Sequence, residues 1–173
     1  MATTKTALGG KPVLKAPKIV SEDEAPAFHE ALRKRISERA YGLFESSGGQ
    51  HGNADNHWNQ AELEVLQHGM EIRESGSWLA INAAIPDGSA DDIQIYLTPN
   101  RVVVRAEKNT SVQNPDSHVH GMTQREIFLA DDLASEVEPE TASAAFKDQK
   151  LTIMVKKRYP MNSSSSREAD AKG

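Results

Sequence analysis

Six histidines are the first side chains in this 173-residue chain whose chemistry invites a functional reading. His118 and His120 lie two apart in a polar stretch, and His51 and His57 flank a second one. A metal site draws three or four ligands to one point, and neither pair has a third ligand at a diagnostic spacing. No metal site is expected. Asp91-Asp92 and Asp131-Asp132 are paired carboxylates, but neighbours on a strand point to opposite faces and cannot act as an acid/base couple. Capping of turns is their expected role. Serines cluster in the tail and a polar loop, where no rigid scaffold holds a base beside a nucleophile. The sequence contains no glycine-rich phosphate loop and no cysteine, which removes disulfides, thiol redox and thiolate ligands. The residues therefore describe no enzyme and no cofactor, and the question becomes which partner.

Five runs of alternating apolar and polar residues lie between Trp78 and Lys157. Leu79, Ile81, Ala83 and Ile85 share one face of the first, and Ile93, Ile95 and Leu97 one face of the second. Val102, Val104 and Ala106 follow, then Ile127 and Leu129, then Leu151, Ile153 and Val155. A period of two over short segments parted by turn residues predicts an antiparallel β-sandwich, because each strand then buries one face. Turns are expected at Pro86-Asp87-Gly88, at Thr98-Pro99-Asn100-Arg101 and at Asp148-Gln149. Lys108 to Met122 is polar and reads as a long loop.

Ser21 to Gly69 reads as a two-helix hairpin. Ser21 and Glu24 have the form of a capping box, and Pro26 suits a first helical turn. Phe28, Leu32, Ile36, Ala40 and Phe44 form an apolar stripe that Gly48-Gly49 should end. A second helix begins near Asn53 or Asp55, with Trp58, Ala61, Val65 and Leu66 on its apolar side and Gly69 closing it. So small a hairpin has too little core to stand alone. Residues 1–20 carry Lys5, Lys11, Lys15 and Lys18 without an acidic residue and read as a solvated, unfolded tail. Residues 159–173 read as a second disordered tail.

The bulk numbers agree with this division. Apolar residues make up 38% and aromatics 5%, so the core must be aliphatic. A net charge of −5 argues against nucleic acid as a partner. No apolar run approaches the roughly 20 residues of a membrane span, and the first residues lack the layout of a secretory signal. A cytoplasmic protein with no membrane partner is the expectation.

Residues 76–158 resemble the α-crystallin domain of small heat-shock proteins. The resemblance is carried by Ile85-Pro86, Asp91-Asp92-Ile93-Gln94-Ile95 and Asn100-Arg101-Val102-Val103-Val104. It continues in Arg125-Glu126-Ile127-Phe128-Leu129, Val137 and Leu151-Thr152-Ile153 before Lys156-Lys157. It implies an immunoglobulin-like sandwich, mainly β, preceded here by the two helices. Thr123, Ala130 and Gln149-Lys150 depart from the family pattern, and losing its glycine at the last hairpin predicts a strained or altered turn. The tail after Arg158 has no Ile-x-Ile element of the kind that docks into a neighbour's groove in relatives, which argues against large assemblies. Residues 28–68, with Arg39-Ala40-Tyr41-x-Leu43-Phe44 and Trp58-x-x-Ala61-Glu62, resemble a short bacterial domain of unknown function.

The resemblance implies an ATP-independent chaperone that holds exposed apolar segments of unfolding client proteins, as a homodimer or small oligomer. Val102, Val104, Leu151 and Ile153 would line its groove, or else serve as core. Arg125 matches the family arginine on the strand that pairs across the dimer; an exposed arginine on an edge strand is the alternative. Tyr41, Trp58 and Glu62 would serve packing within the hairpin or docking. The competing expectation is an interaction module that binds one defined partner through the same sandwich and hairpin.

Overall fold

The computed structural model describes residues 16–49, 52–112 and 121–159, with the backbone alone for 108–112 and 121–124. Its elements in chain order are β1 (Lys18–Ile19), α1 (Ala25–Ser46), α2 (Ala54–Val65), β2 (Leu66–Gln67), β3 (Glu71–Ser75), β4 (Trp78–Ala84), β5 (Ile93–Thr98), β6 (Arg101–Val112), β7 (Gly121–Asp132), β8 (Val137–Lys147) and β9 (Lys150–Lys157). They form a five-stranded sheet, β1-β5-β6-β7-β2, and a four-stranded sheet, β3-β4-β9-β8. The two sheets are the sandwich that the alternation predicts. All neighbours are antiparallel except the two-residue strands β1 and β2, which run parallel to β5 and β7.

Register explains the core. Pairing Ile81 with Ile153 and Leu79 with Val155 puts every second residue of β4 and β9 on one side. The β5–β6 ladder does the same for Ile93, Ile95, Val104 and Ala106. These side chains meet in one aliphatic cluster between the sheets. It is closed to water, as Leu79, Ile81, Ile95, Val104 and Ile153 have no exposed surface.

Several elements differ from the sequence reading. Helix α1 starts at Ala25, after Glu24, and Ser21 does not cap it. The box survives as a turn ahead of the helix, where the Glu24 carboxylate accepts from the Ser21 hydroxyl at 3.2 Å and its amide at 3.4 Å. Leu66 leaves α2 and enters β2, because pairing beside Phe128 buries its side chain. Glu71–Ser75, between the expected hairpin and the expected sandwich, pairs with β4. The segment read as a loop from Lys108 instead continues the β6–β7 ladder out to Val112 and Gly121, and residues 113–120 of the expected loop lie outside the described residues. Residues 16–20, expected to be unfolded, include strand β1, which gains order from the free edge of β5. The remainder of both expected tails, apart from Tyr159, also lies outside the described residues.

The β8–β9 turn carries the strain that the missing glycine predicts. Asp148 and Gln149 connect the paired Lys147 and Lys150 with φ of 50° and 62°. Two successive positive φ values are those of a type I′ turn, which aspartate tolerates better than glutamine. A non-glycine residue in this region is destabilised by about 1–2 kcal/mol. Gln149→Gly is expected to stabilise the protein by about 0.5–1 kcal/mol, net of the freedom that glycine adds to the unfolded chain. A urea midpoint that stays put or falls would show that the turn is unstrained.

Candidate functional site

Side chains on the outer face of the five-stranded sheet set the site. Tyr96 pairs with Val103, and Val103 with Ala130, so the three form a row across β5, β6 and β7. Phe128 stands in the next row, opposite Arg105. Lying one residue from the inward set along each strand, this face should be wet in a two-layer sandwich. It is dry because the helices cover it. Phe28, Leu66, Val103, Phe128 and Ala130 form a second buried cluster, with Val20, Leu32, Val65 and Tyr96 packed at its rim. The Phe28 ring stacks on Tyr96 at 5.5 Å and meets Phe128 edge-on at 6.3 Å. His29 meets Tyr96 edge-on at 4.6 Å.

The same N-terminal segment also covers both edges of that sheet. On one side Lys18 and Ile19 pair with Gln94 and Ile95, and the Val20 amide donates to the Ile95 carbonyl at 2.8 Å. Alternation then points Ile19 into the main core and Val20 into the outer cluster. On the other side Leu66 and Gln67 pair with Phe128 and Leu129. An edge strand presents unpaired amides and carbonyls that template further pairing, and here two short strands of the chain itself take up that template. Beside β1 an open groove of about 850 Å³ runs towards β8, lined by Val20, Tyr96, Leu97, Pro139 and Ala142 among others.

Charges frame the apolar face. Arg105 pairs with Glu126 across the β6–β7 ladder, donates to Gln94 at 3.2 Å, and approaches Glu107 at 3.0 Å. Arg39 of α1 pairs with Glu64 of α2, so the helices are tied to each other. That guanidinium, and then Gln60, hold the Glu64 carboxyl below its ordinary range. Lys18 pairs with Glu24 at 2.5 Å, linking β1 to the start of α1, and its hydrogen bond is the main cause of the lowered Glu24 pKa. Asp131 fixes the exit from the hairpin. Its carboxylate accepts from the amides of Gly69 (3.3 Å) and Met70 (2.9 Å) and lies 3.2 Å from His68 Nδ1. The capping role expected for this aspartate is thus met by one carboxylate on the turn from β2 to β3.

The residues singled out from the sequence fall in three places. Val102, Val104, Leu151 and Ile153 lie in the interior between the sheets with no exposed surface. Arg125 is exposed and lines a cleft of about 280 Å³ between β7 and the hairpin, with Arg35, Arg39 and Glu64. Tyr41 is 62% exposed and tilts against Phe44 at 6.3 Å. Trp58 is half-buried on α2, and Glu62 lines a shallow pocket with Leu63, His68 and Arg101. Among the described residues no group of three or more His, Asp or Glu side chains is placed to hold a metal ion; His51, His118 and His120 lie outside them. Nor is any helix among them long and apolar enough to cross a membrane.

Phe28 enters the sequence reading only as part of the helical stripe, and Tyr96, Val103 and Phe128, which build the outer face with it, are given no site role there. Their signal was present as the continuous apolar runs Ile95-Tyr96-Leu97, Val102-Val103-Val104 and Ile127-Phe128-Leu129. Such runs mark strands covered on both faces.

Two sheets of this topology, with a segment of the same chain laid on one of them, define a two-sheet β-sandwich covered on one outer face by its own helices. Residues 71–171 match the Hsp20/alpha crystallin family, and the chain belongs to that family. Residues 31–67 match a protein family of unknown function, DUF2934. No curated protein matches the chain. Among solved structures, heat shock protein 16.0 from Schizosaccharomyces pombe is 12% identical, with a TM-score of 0.44, over 57% of this chain and 78% of that one. A small heat-shock protein from Xylella fastidiosa is 15% identical, with a TM-score of 0.43, over 61% and 95% of the two chains. For hspA from Xanthomonas axonopodis the identity is 15% and the TM-score 0.43, over 52% and 92%.

Proposed function

We propose that this protein is an ATP-independent, non-enzymatic chaperone that holds exposed apolar segments of unfolding proteins and limits their aggregation. The observation that carries the reading is the capture of Lys18–Ile19 on the edge of β5, with Ile19 packed on the core. A sheet edge that accepts an extended dipeptide of its own chain, one apolar side chain turned to the core, has the chemistry to accept one from a client, through main-chain hydrogen bonds with little demand on sequence. Membership of the Hsp20/alpha crystallin family supports the same activity. For Val102, Val104, Leu151 and Ile153 we assign the interior that holds the two sheets together, since a client reaches them only if the sheets part. Arg125 is exposed where β7 extends past β2, and there we place the contact with a second copy in a homodimer or small oligomer. We assign Tyr41, Trp58 and Glu62 to packing of the hairpin. Suppression of light scattering from a heat-unfolding client tests the reading; no suppression in large excess would overturn it.

A second reading, an interaction module for one defined partner, is favoured by the resting surface of the hairpin. There Tyr41 (62% exposed) and Leu63 (71% exposed) offer separate apolar contacts on otherwise polar helices. Such a module would bind a hydrophobic dye weakly at all temperatures and leave a client's aggregation unchanged.

A further inference from the structure

We propose that the outer face of the five-stranded sheet, around Tyr96, Val103, Phe128 and Ala130, is a binding surface for partly unfolded polypeptide, and that residues 18–67 are its resident competitor. The proposal rests on the holding activity above and names its site and its regulation.

The face is apolar where the sandwich does not require it. The main cluster between the sheets is complete on the inner face, yet in the outer row Val103 and Ala130 are also apolar and buried, with Tyr96 partly so. What lies on it shows what fits: two short parallel strands at the edges and an amphipathic helix between them. An unfolding protein offers the same elements, namely extended segments and partly formed helices with one apolar side.

The competitor is held thinly. Helix α1 has 22 residues but buries only Phe28 and Ile36, and α2 buries only Ala61. Each edge strand adds two residues. The ion pair at the start of α1, between Lys18 and Glu24, is about half exposed and holds weakly. Few buried contacts and exposed ties are what local opening without global unfolding requires. The Arg39–Glu64 pair joins α1 to α2, so the two helices would leave together. A tethered occupant acts at an effective concentration on the order of millimolar, so the surface stays closed until clients are abundant or the tether loosens.

The test uses the full chain. A photo-crosslinking phenylalanine analogue replaces Tyr96, and a control chain carries it in place of Trp78, exposed on the other sheet. Each is irradiated with a heat-unfolding client. Client adducts several-fold more abundant from position 96 than from position 78 are expected. In parallel, Phe28→Asp should lower the chaperone-to-client ratio for half suppression several-fold and raise dye binding, with amide protection in β4 and β9 unchanged. Suppression by the wild type without client adducts at position 96, and with Phe28→Asp no better, would overturn the proposal while leaving the holding activity intact. Failure of both chains to suppress aggregation would remove both. Should Phe28→Asp unfold the sandwich, the crosslinking arm decides alone.

Discussion

Ile153→Ala lowers the unfolding free energy by about 2–5 kcal/mol, the range for truncating a buried aliphatic side chain without collapse of the cavity. Ile153 has no exposed surface and sits on a central strand, paired with Ile81 on β4 and Ala144 on β8. Neighbours on both sides are fixed by ladder hydrogen bonds, so little relaxation is available to fill the gap. Urea unfolding measures the loss. A residue acting by direct contact with clients would behave differently, losing holding activity at nearly unchanged stability. A shift of less than about 1 kcal/mol would place Ile153 in a groove that opens to solvent. Val102, Val104 and Leu151 share its position between the sheets and should share its response.

Asp131→Ala is expected to destabilise by about 1–3 kcal/mol, through the amides it leaves without an acceptor. The Met70 amide contributes most, because its bond is the shortest and is partly buried; the Gly69 amide and His68 are more exposed and recover bonds from water. The effect should be local. Amides of residues 66–70 should lose protection from hydrogen exchange before those of β4 or β9, as the carboxylate joins the hairpin's exit to the end of β7. Asp131→Asn keeps one acceptor oxygen and should fall between. Uniform loss of protection across the sandwich would mean that Asp131 supports the whole fold and has no special hold on the hairpin.

The sandwich was legible in the sequence because burial of one face imposes a period of two, which Leu79-Ile81-Ala83 and Leu151-Ile153-Val155 carry without interruption. The hairpin was legible by the helical spacing of Phe28, Leu32 and Ile36. Its place on the sandwich was not, since an amphipathic stripe states that a helix is covered but not by what. The two-residue strands were hidden for a related reason. Lys18-Ile19 and Leu66-Gln67 are too short to show a period, and their conformation is set by the edges they meet. The polar ends of β6 and β7 read as a loop because no apolar pattern in the sequence marks that stretch of the ladder. At Asp148-Gln149 the sequence predicted difficulty from a missing glycine, and the positive φ values are its physical form.

On the proposed function, the sandwich holds unfolding polypeptide. Light scattering from a heat-unfolding client, with the full chain at rising molar ratio, tests it most directly. Suppression that saturates near stoichiometric amounts and needs no ATP is the predicted result. Aggregation that proceeds unchanged at large excess would contradict it and leave a module with one dedicated partner.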